Sequence, residues 1–216
     1  MHPELNFHRF SNLAPNAFAF RPRQLVVAGW TARDRDAMQR YMRELEAQGI
    51  KRPSAMPLYY RVAAGRLTQD TEIQVLGPHT SGEVEPVLFS MRDGLWLGVG
   101  SDHTDRKLES HSVAASKQIC PKVVSGSLWD CRELAGHWDE LILRAYITEG
   151  SGGDRLLYQE GSLQELMPPA AVMYCGTLAA RGGMRPASRF EMELDDPVLK
   201  RTLTHAYTIE ALPVVE

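Results

Sequence analysis

The sequence predicts a mainly β, mixed-sheet α+β domain, and three observations carry that prediction. Short runs rich in Val, Ile, Leu, Tyr and Thr recur along the chain between Gly, Pro, Asn or Asp punctuation. Only residues 31–48 keep apolar side chains at helical spacing over several turns. Asp93-Gly94 stands between two apolar runs, a hairpin turn signal.

Taken in order, Gln24–Ala28 reads as a short buried strand. Thr31, three residues before Asp34, opens a helix in the manner of a capping box. That helix runs to about Gln48, with Met38, Tyr41, Met42 and Leu45 on one core-facing side and Gly49 as its stop. Pro53 and Pro57 punctuate a loop before a strand over Leu58–Val62, and Thr71–Leu76 alternates as a further strand. The hairpin follows, its first arm beginning near Glu83. Thr104–Lys117 leaves open a short helix. Trp138–Thr148, opened by His137, alternates as a buried strand; Gly150–Asp154 is a turn. Ser162–Leu166 reads as a short helix and Ala171–Tyr174 as a core strand ending at Gly176-Thr177. Arg189–Leu194 and His205–Leu212 are late strands. With 216 residues and 44% hydrophobic content, the chain is expected to form one catalytic domain over residues 1–216. Within it, residues 1–50 form a lid-like strand and helix region and residues 51–216 a metal-binding β core.

A net charge of −3 with scattered basic residues excludes an electrostatic footprint for nucleic acid or an anionic membrane. The N-terminus lacks the basic and apolar regions of a signal peptide, and no apolar run approaches a membrane span. Three cysteines, Cys120, Cys131 and Cys175, without zinc spacing fit a reducing cytoplasm, where they act as buried hydrophobes. A cytoplasmic protein without nucleic-acid or membrane partners is the expectation.

The residues with the strongest chemical content are Glu83, Glu85 and Asp102. Residues two apart on a strand share a face, so Glu83 and Glu85 project together while Val84 points away, and the hairpin returns Asp102 beside them. Clustered carboxylates repel one another unless a cation holds them, and an all-oxygen set suits Mg²⁺, or Mn²⁺ or Ca²⁺, better than zinc. His103, next along an extended backbone, faces away from that set and serves packing or a supporting contact.

The order of motifs resembles the fumarylacetoacetate hydrolase superfamily, in its C-terminal catalytic domain. The resemblance rests on Glu83-Val84-Glu85, Asp102-His103-Thr104-Asp105-Arg106, Lys117-Gln118-Ile119-Cys120-Pro121 and Gly176-Thr177, with Pro57-Leu58-Tyr59-Tyr60-Arg61 upstream. It spans roughly residues 29–178 and is closest to a bacterial and fungal branch bearing Ser-Asp-His-Thr-Asp-Arg. It implies Glu83, Glu85 and Asp102 as metal ligands, Lys117 as donor to a substrate carbonyl or carboxylate, and Arg106 as anion clamp or brace. Gly176, Thr177 and Arg61 would bind substrate, and the protein would be a homodimer. The superfamily's lid helix carries a His-x-x-Glu dyad that activates water; the corresponding Gly29–Asp36 offers Arg and Asp, leaving Asp34 as the candidate to orient water or substrate. The implied function is metal-dependent cleavage of a C–C bond in a small 2-oxo or 1,3-dicarbonyl acid, by acylpyruvate-type hydrolysis or decarboxylation through an enolate. The alternatives are a hydratase or isomerase of an unsaturated 2-oxo acid and a non-catalytic protein that binds small carboxylates.

Overall fold

A computed structural model describes residues 3–10, 16–34, 36, 39, 42, 43, 53–166 and 173–215. Its strands are β1 (Leu5–Phe10), β2 (Asn16–Phe20), β3 (Leu25–Gly29), β4 (Leu58–Val62), β5 (Leu67–Thr68), β6 (Glu72–Leu76), β7 (Thr80–Ser81), β8 (Val84–Met91) and β9 (Gly94–Asp102). They continue as β10 (Thr104–Asp105), β11 (Lys122–Val124), β12 (Ser127–Asp130), β13 (Ile142–Thr148), β14 (Arg155–Ser162), β15 (Met173–Tyr174), β16 (Arg189–Asp196) and β17 (Arg201–Leu212). The short helices α1 (Arg106–Glu109), α2 (Val113–Ile119) and α3 (Cys131–Leu134) decorate them. The expected α+β class, mainly β with mixed sheets, is what the molecule has.

Among the described residues, the larger sheet has ten strands, eight of them in the order β2-β1-β12-β9-β8-β15-β3-β4, with β11 and β5 branching from β9. It mixes parallel pairs such as β1 with β12 and antiparallel ones such as β8 with β9. The second sheet runs β14-β13-β16-β17-β6. Alternation along β8 and β9 divides the core. Val84, Leu88, Leu97 and Val99 face the second sheet and pack with Leu143, Ala145, Phe190, Met192 and Tyr207. Val87, Phe89 and Trp96 face the other way, into a cluster with Phe7, Leu25, Val27 and Tyr174. Glu85 lies in phase with Val87 and Phe89, so it points out of the sheet on this second side.

Several expectations shift by a few residues. The hairpin turns at Arg92-Asp93, and Gly94 instead opens β9 opposite Met91, at φ 140°, which a side chain rarely adopts. The strand expected from Trp138 begins at Ile142; Trp138–Glu140 is a 3₁₀ turn, because His137 leaves the chain to meet Asp196 Oδ1 at 3.0 Å instead of opening a strand. The Thr31 hydroxyl donates to the Cys175 carbonyl at 3.0 Å, and Ala32 after it bridges to Leu166; most of the helix expected from there lies outside the described residues. Met42 is buried, as its place in the stripe requires, while Met38, Tyr41, Leu45 and Gly49 lie outside the described residues. The open stretch Thr104–Lys117 contains β10, α1 and most of α2, capped by Asp105 and Ser112 accepting from Leu108 N–H and Ala115 N–H. Among the described residues, no helix is long and apolar enough to cross a membrane.

Candidate metal centre

The sheet register assembles the acidic cluster. Val84 pairs with Ser101 and Glu85 with Gly100, and the Asp102 N–H donates to the Glu83 carbonyl at 3.0 Å. One oxygen from each of Glu83, Glu85 and Asp102 falls within 4.8 Å of the others, Glu85 and Asp102 buried and Glu83 at the edge. Gly100, opposite Glu85, lets the hairpin pack closely there: a Cβ would stand 2.7–2.8 Å from Val87, Tyr174 and the Val123 carbonyl.

Cations surround the trio. Helix α2 turns Lys117 inward, so that its Nζ meets Asp102 Oδ2 and lies 3.5 Å from Glu83 Oε2. Lys122 stands directly across from Asp102 in the β9–β11 pairing; its fully buried Nζ donates to the His103 carbonyl and lies 2.9 Å from Asp102 Oδ1. Arg106, first residue of α1, donates to Ser81 Oγ at 2.7 Å and Glu109 at 2.9 Å and approaches Glu83 Oε1 at 3.3 Å. It thus braces Glu83 against β7. Lys122 is the cation that sequence reading missed; its signal was its place just after Cys120-Pro121, where a solvated lysine is the default expectation.

These charges split the carboxylates electrostatically. Burial and the neighbouring Asp102 and Glu83 push the Glu85 carboxyl well above its usual range. Burial opposes ionisation of Asp102 too, but Lys117 and Lys122 overcome it and hold that carboxyl well below the usual range. The Lys117 ammonium is desolvated, yet Asp102, Glu83 and Glu85 hold its proton far above the ordinary lysine value. His103 is pushed down to about 3 by burial and by Lys122 and Arg106, so it is neutral. Tyr207 donates to Ser101 Oγ at 2.8 Å and therefore accepts from His103 Nδ1 at 3.0 Å, which leaves Nε2 to accept from Thr80 at 2.8 Å.

The remaining expected residues fall into two groups. Gly176, at φ 98°, donates its N–H to Glu85 Oε2 at 2.7 Å, and a Cβ there would meet Thr31 Oγ1 at 1.9 Å. The Thr177 hydroxyl is engaged inside the protein, donating to the Val84 carbonyl at 2.7 Å and accepting from Gln159 Nε2 at 2.7 Å. That hydroxyl thus satisfies the Val84 carbonyl between the two glutamates. Arg61 is exposed on the edge strand β4, and Asp34 is exposed beyond the Ala32–Leu166 bridge; neither joins the carboxylate cluster.

The donor set fits a hard divalent cation. It is all oxygen, and Asp102 Oδ1, although close to Lys122, is a buried acceptor without a hydrogen-bond donor along a proper direction.

A pH dependence follows from Glu85. In metal-free protein the folded state keeps a proton on Glu85 that the unfolded chain releases above its ordinary value of 4.5. This group therefore subtracts stability as pH rises from that value toward its folded pKa. The melting temperature of Glu85→Gln relative to wild type, both in chelator, is expected to climb over the same window. A difference independent of pH would contradict the assignment.

The class these features define is an α+β fold of fumarylacetoacetate hydrolase-like type with a buried acidic cluster at the end of a central hairpin. The chain belongs to the family DUF2848, described as "Protein of unknown function", which matches residues 28–207. No curated protein matches the sequence. Among solved structures, that of Cg1458 with inhibitor is 12% identical, with a TM-score of 0.61 over 92% of this chain and 86% of that one. The 2-keto-3-deoxy-D-arabinonate dehydratase complexed with magnesium and 2,5-dioxopentanoate is 14% identical, with a TM-score of 0.53 over 88% of this chain and 74% of that one. At such identities the likeness is one of fold.

Proposed function

We propose that the protein is a divalent-metal-dependent enzyme that cleaves a C–C bond in a small 2-oxo or 1,3-dicarbonyl acid, with Mg²⁺ or Mn²⁺ held by Glu83, Glu85 and Asp102. The observation that carries this reading is the charge balance of the buried cluster. Three carboxylates face Lys117, Lys122 and Arg106, so a divalent ion brings surplus positive charge that an anionic substrate offsets. The bound cation supplies Lewis-acid polarisation of the 2-oxo group.

Lys117, on helix α2 beside Glu83 at the edge of the cluster, is the cation assigned to the substrate, while Lys122 stands opposite Asp102 in the strand pairing. Displaced from Asp102, its ammonium donates to the substrate carboxylate and stabilises the charge that develops on the carbonyl oxygen. Arg106 stays on Glu83, 3.3 Å from its Oε1, and holds that ligand in place. Gly29–Asp36 carries no histidine, so a base for water there would be an aspartate, with Asp34 the candidate. Decarboxylation, which needs only a polarised carbonyl while CO₂ departs, suits this set better than acylpyruvate hydrolysis. Hydration or dehydration of a 2-oxo acid is the second reading, favoured by the fold shared with a dehydratase bound to magnesium and an oxo acid.

The test is turnover by purified protein with Mg²⁺ or Mn²⁺ of oxaloacetate, acylpyruvates and unsaturated or 3-deoxy 2-oxo acids, with chelator as control. Binding of oxo acids without metal-dependent turnover of any of them would leave a carboxylate-binding protein. Oxalate, a bidentate 2-oxo acid mimic, is expected to inhibit, and Lys117→Ala should weaken that inhibition roughly 10-fold or more through loss of a charged hydrogen bond. Metal affinity in Lys117→Ala should hold or rise, because a competing cation has gone. Unchanged oxalate inhibition would remove Lys117 from the substrate site.

A further inference from the structure

We infer that Gln159, together with the Thr177 hydroxyl, forms a clamp on Val84, the residue between the two metal-binding glutamates, holding the peptide group on each side of it, and that both are positioning residues for the metal; this rests on the metal reading above. Val84 is the only residue between Glu83 and Glu85. Its N–H donates to Gln159 Oε1 at 3.0 Å and its carbonyl accepts from Thr177 Oγ1 at 2.7 Å. The ring closes because Gln159 Nε2 donates both to Thr177 Oγ1, at 2.7 Å, and to the Leu178 carbonyl, at 2.6 Å. Every polar atom of the Gln159 amide is thereby committed, and the side chain is fully buried.

The placement is what makes this more than core satisfaction. Gln159 stands on β14, the edge of the second sheet, while Val84 starts β8 in the first. The clamp therefore fixes the angle of the Glu83–Glu85 segment from the opposite layer. It also sets the neighbouring Gly176, whose N–H holds Glu85 Oε2 at 2.7 Å. A turn of the backbone at Val84 swings Glu83 and Glu85 together, since extended geometry puts both on one face. An ion that needs converging oxygens at 2.0–2.6 Å does not tolerate such a swing. The clamp is uncharged, so its loss changes ligand geometry without changing the charge of the site.

The test uses Mn²⁺ titration of purified protein by calorimetry and by the electron paramagnetic resonance signal of the free ion. Gln159→Met, which fills the space without hydrogen bonds, is expected to bind Mn²⁺ roughly 10–100-fold more weakly, as supporting contacts to metal ligands do. Thr177→Val should weaken binding similarly, and Thr177→Ser, which keeps the hydroxyl, should restore wild-type affinity. The double variant should be little worse than the weaker single, because the two side chains are hydrogen-bonded to each other and hold the same residue, Val84. Wild-type affinity in a folded Gln159→Met protein overturns the clamp. If that variant does not fold, equal affinities in Thr177→Val and Thr177→Ser overturn it instead. Failure of the wild-type protein itself to bind Mn²⁺ overturns the metal reading, and that is seen before any variant is made.

Discussion

Glu85→Gln is expected to abolish divalent-cation binding and, in the same protein, to raise the melting temperature measured without metal. Both outcomes come from one fact: Glu85 is a buried carboxyl, desolvated and facing Asp102 and Glu83, with its pKa raised accordingly. Glutamine preserves the carbonyl oxygen that accepts from Gly176 N–H, so the local bond at Oε2 has a replacement. What disappears is a charge that is costly when the protein is empty and needed when it is loaded. The loss of one of three anionic ligands should weaken Mn²⁺ at least ~100-fold, beyond the range seen for supporting contacts. Metal-free stability should rise at neutral pH, because the raised Glu85 carboxyl no longer opposes folding there. Calorimetric titration and thermal unfolding on the same samples read both. Wild-type metal affinity in Glu85→Gln would sink the metal assignment. A lower metal-free melting temperature would show that Glu85 is structural.

How much of this was legible in the sequence depends on which physical signal each part carries. The Glu83-Val84-Glu85 alternation and the turn before Gly94 fix the hairpin and bring Asp102 back, because strand periodicity and turn chemistry are local. The α+β class was readable for the same reason. Strands β1, β2, β11, β12 and β14 were not: β1, β11 and β12 pair with strands distant in the chain, while β2 and β14 pair with their neighbours β1 and β13. β1, for example, pairs in parallel with β12, His8 opposite Ser127. Their burial comes from packing that no local pattern announces. Lys122 and Gln159 escaped for a related reason. Each is a polar residue made functional by a partner across a sheet or between sheets, Asp102 in one case and Val84 in the other. Thr177 was noticed for its place after Gly176, but only the fold reveals that its hydroxyl faces the Val84 carbonyl.

The largest stability effect is expected from Lys122→Met. Lys122 and Asp102 are both wholly buried, their pairing at 2.9 Å set by their positions opposite each other on β11 and β9. Methionine fills nearly the same volume, so the substitution removes charge and hydrogen bonding with little change in packing. It leaves Asp102 with Lys117 as its remaining cationic partner and strips the His103 carbonyl of its donor. Breaking a buried pair from one side costs about 3–5 kcal/mol, because the remaining charge keeps its desolvation penalty. For a domain of this size that corresponds to a fall in melting temperature on the order of 10 °C. A divalent ion at Asp102 would replace the missing positive charge. Saturating Mn²⁺ should therefore raise the melting temperature of Lys122→Met by more than it raises that of wild type, since ligand linkage grows with affinity for the folded state. Lys117→Ala supplies the contrast: with Lys117 in the substrate-facing role proposed above, it should lose oxalate inhibition, while Lys122 remains beside Asp102. If Lys122→Met instead unfolds within about 1 kcal/mol of wild type, the Asp102 charge is already balanced by Lys117 alone. Lys117 would then be a fixed structural cation with no freedom to meet a substrate.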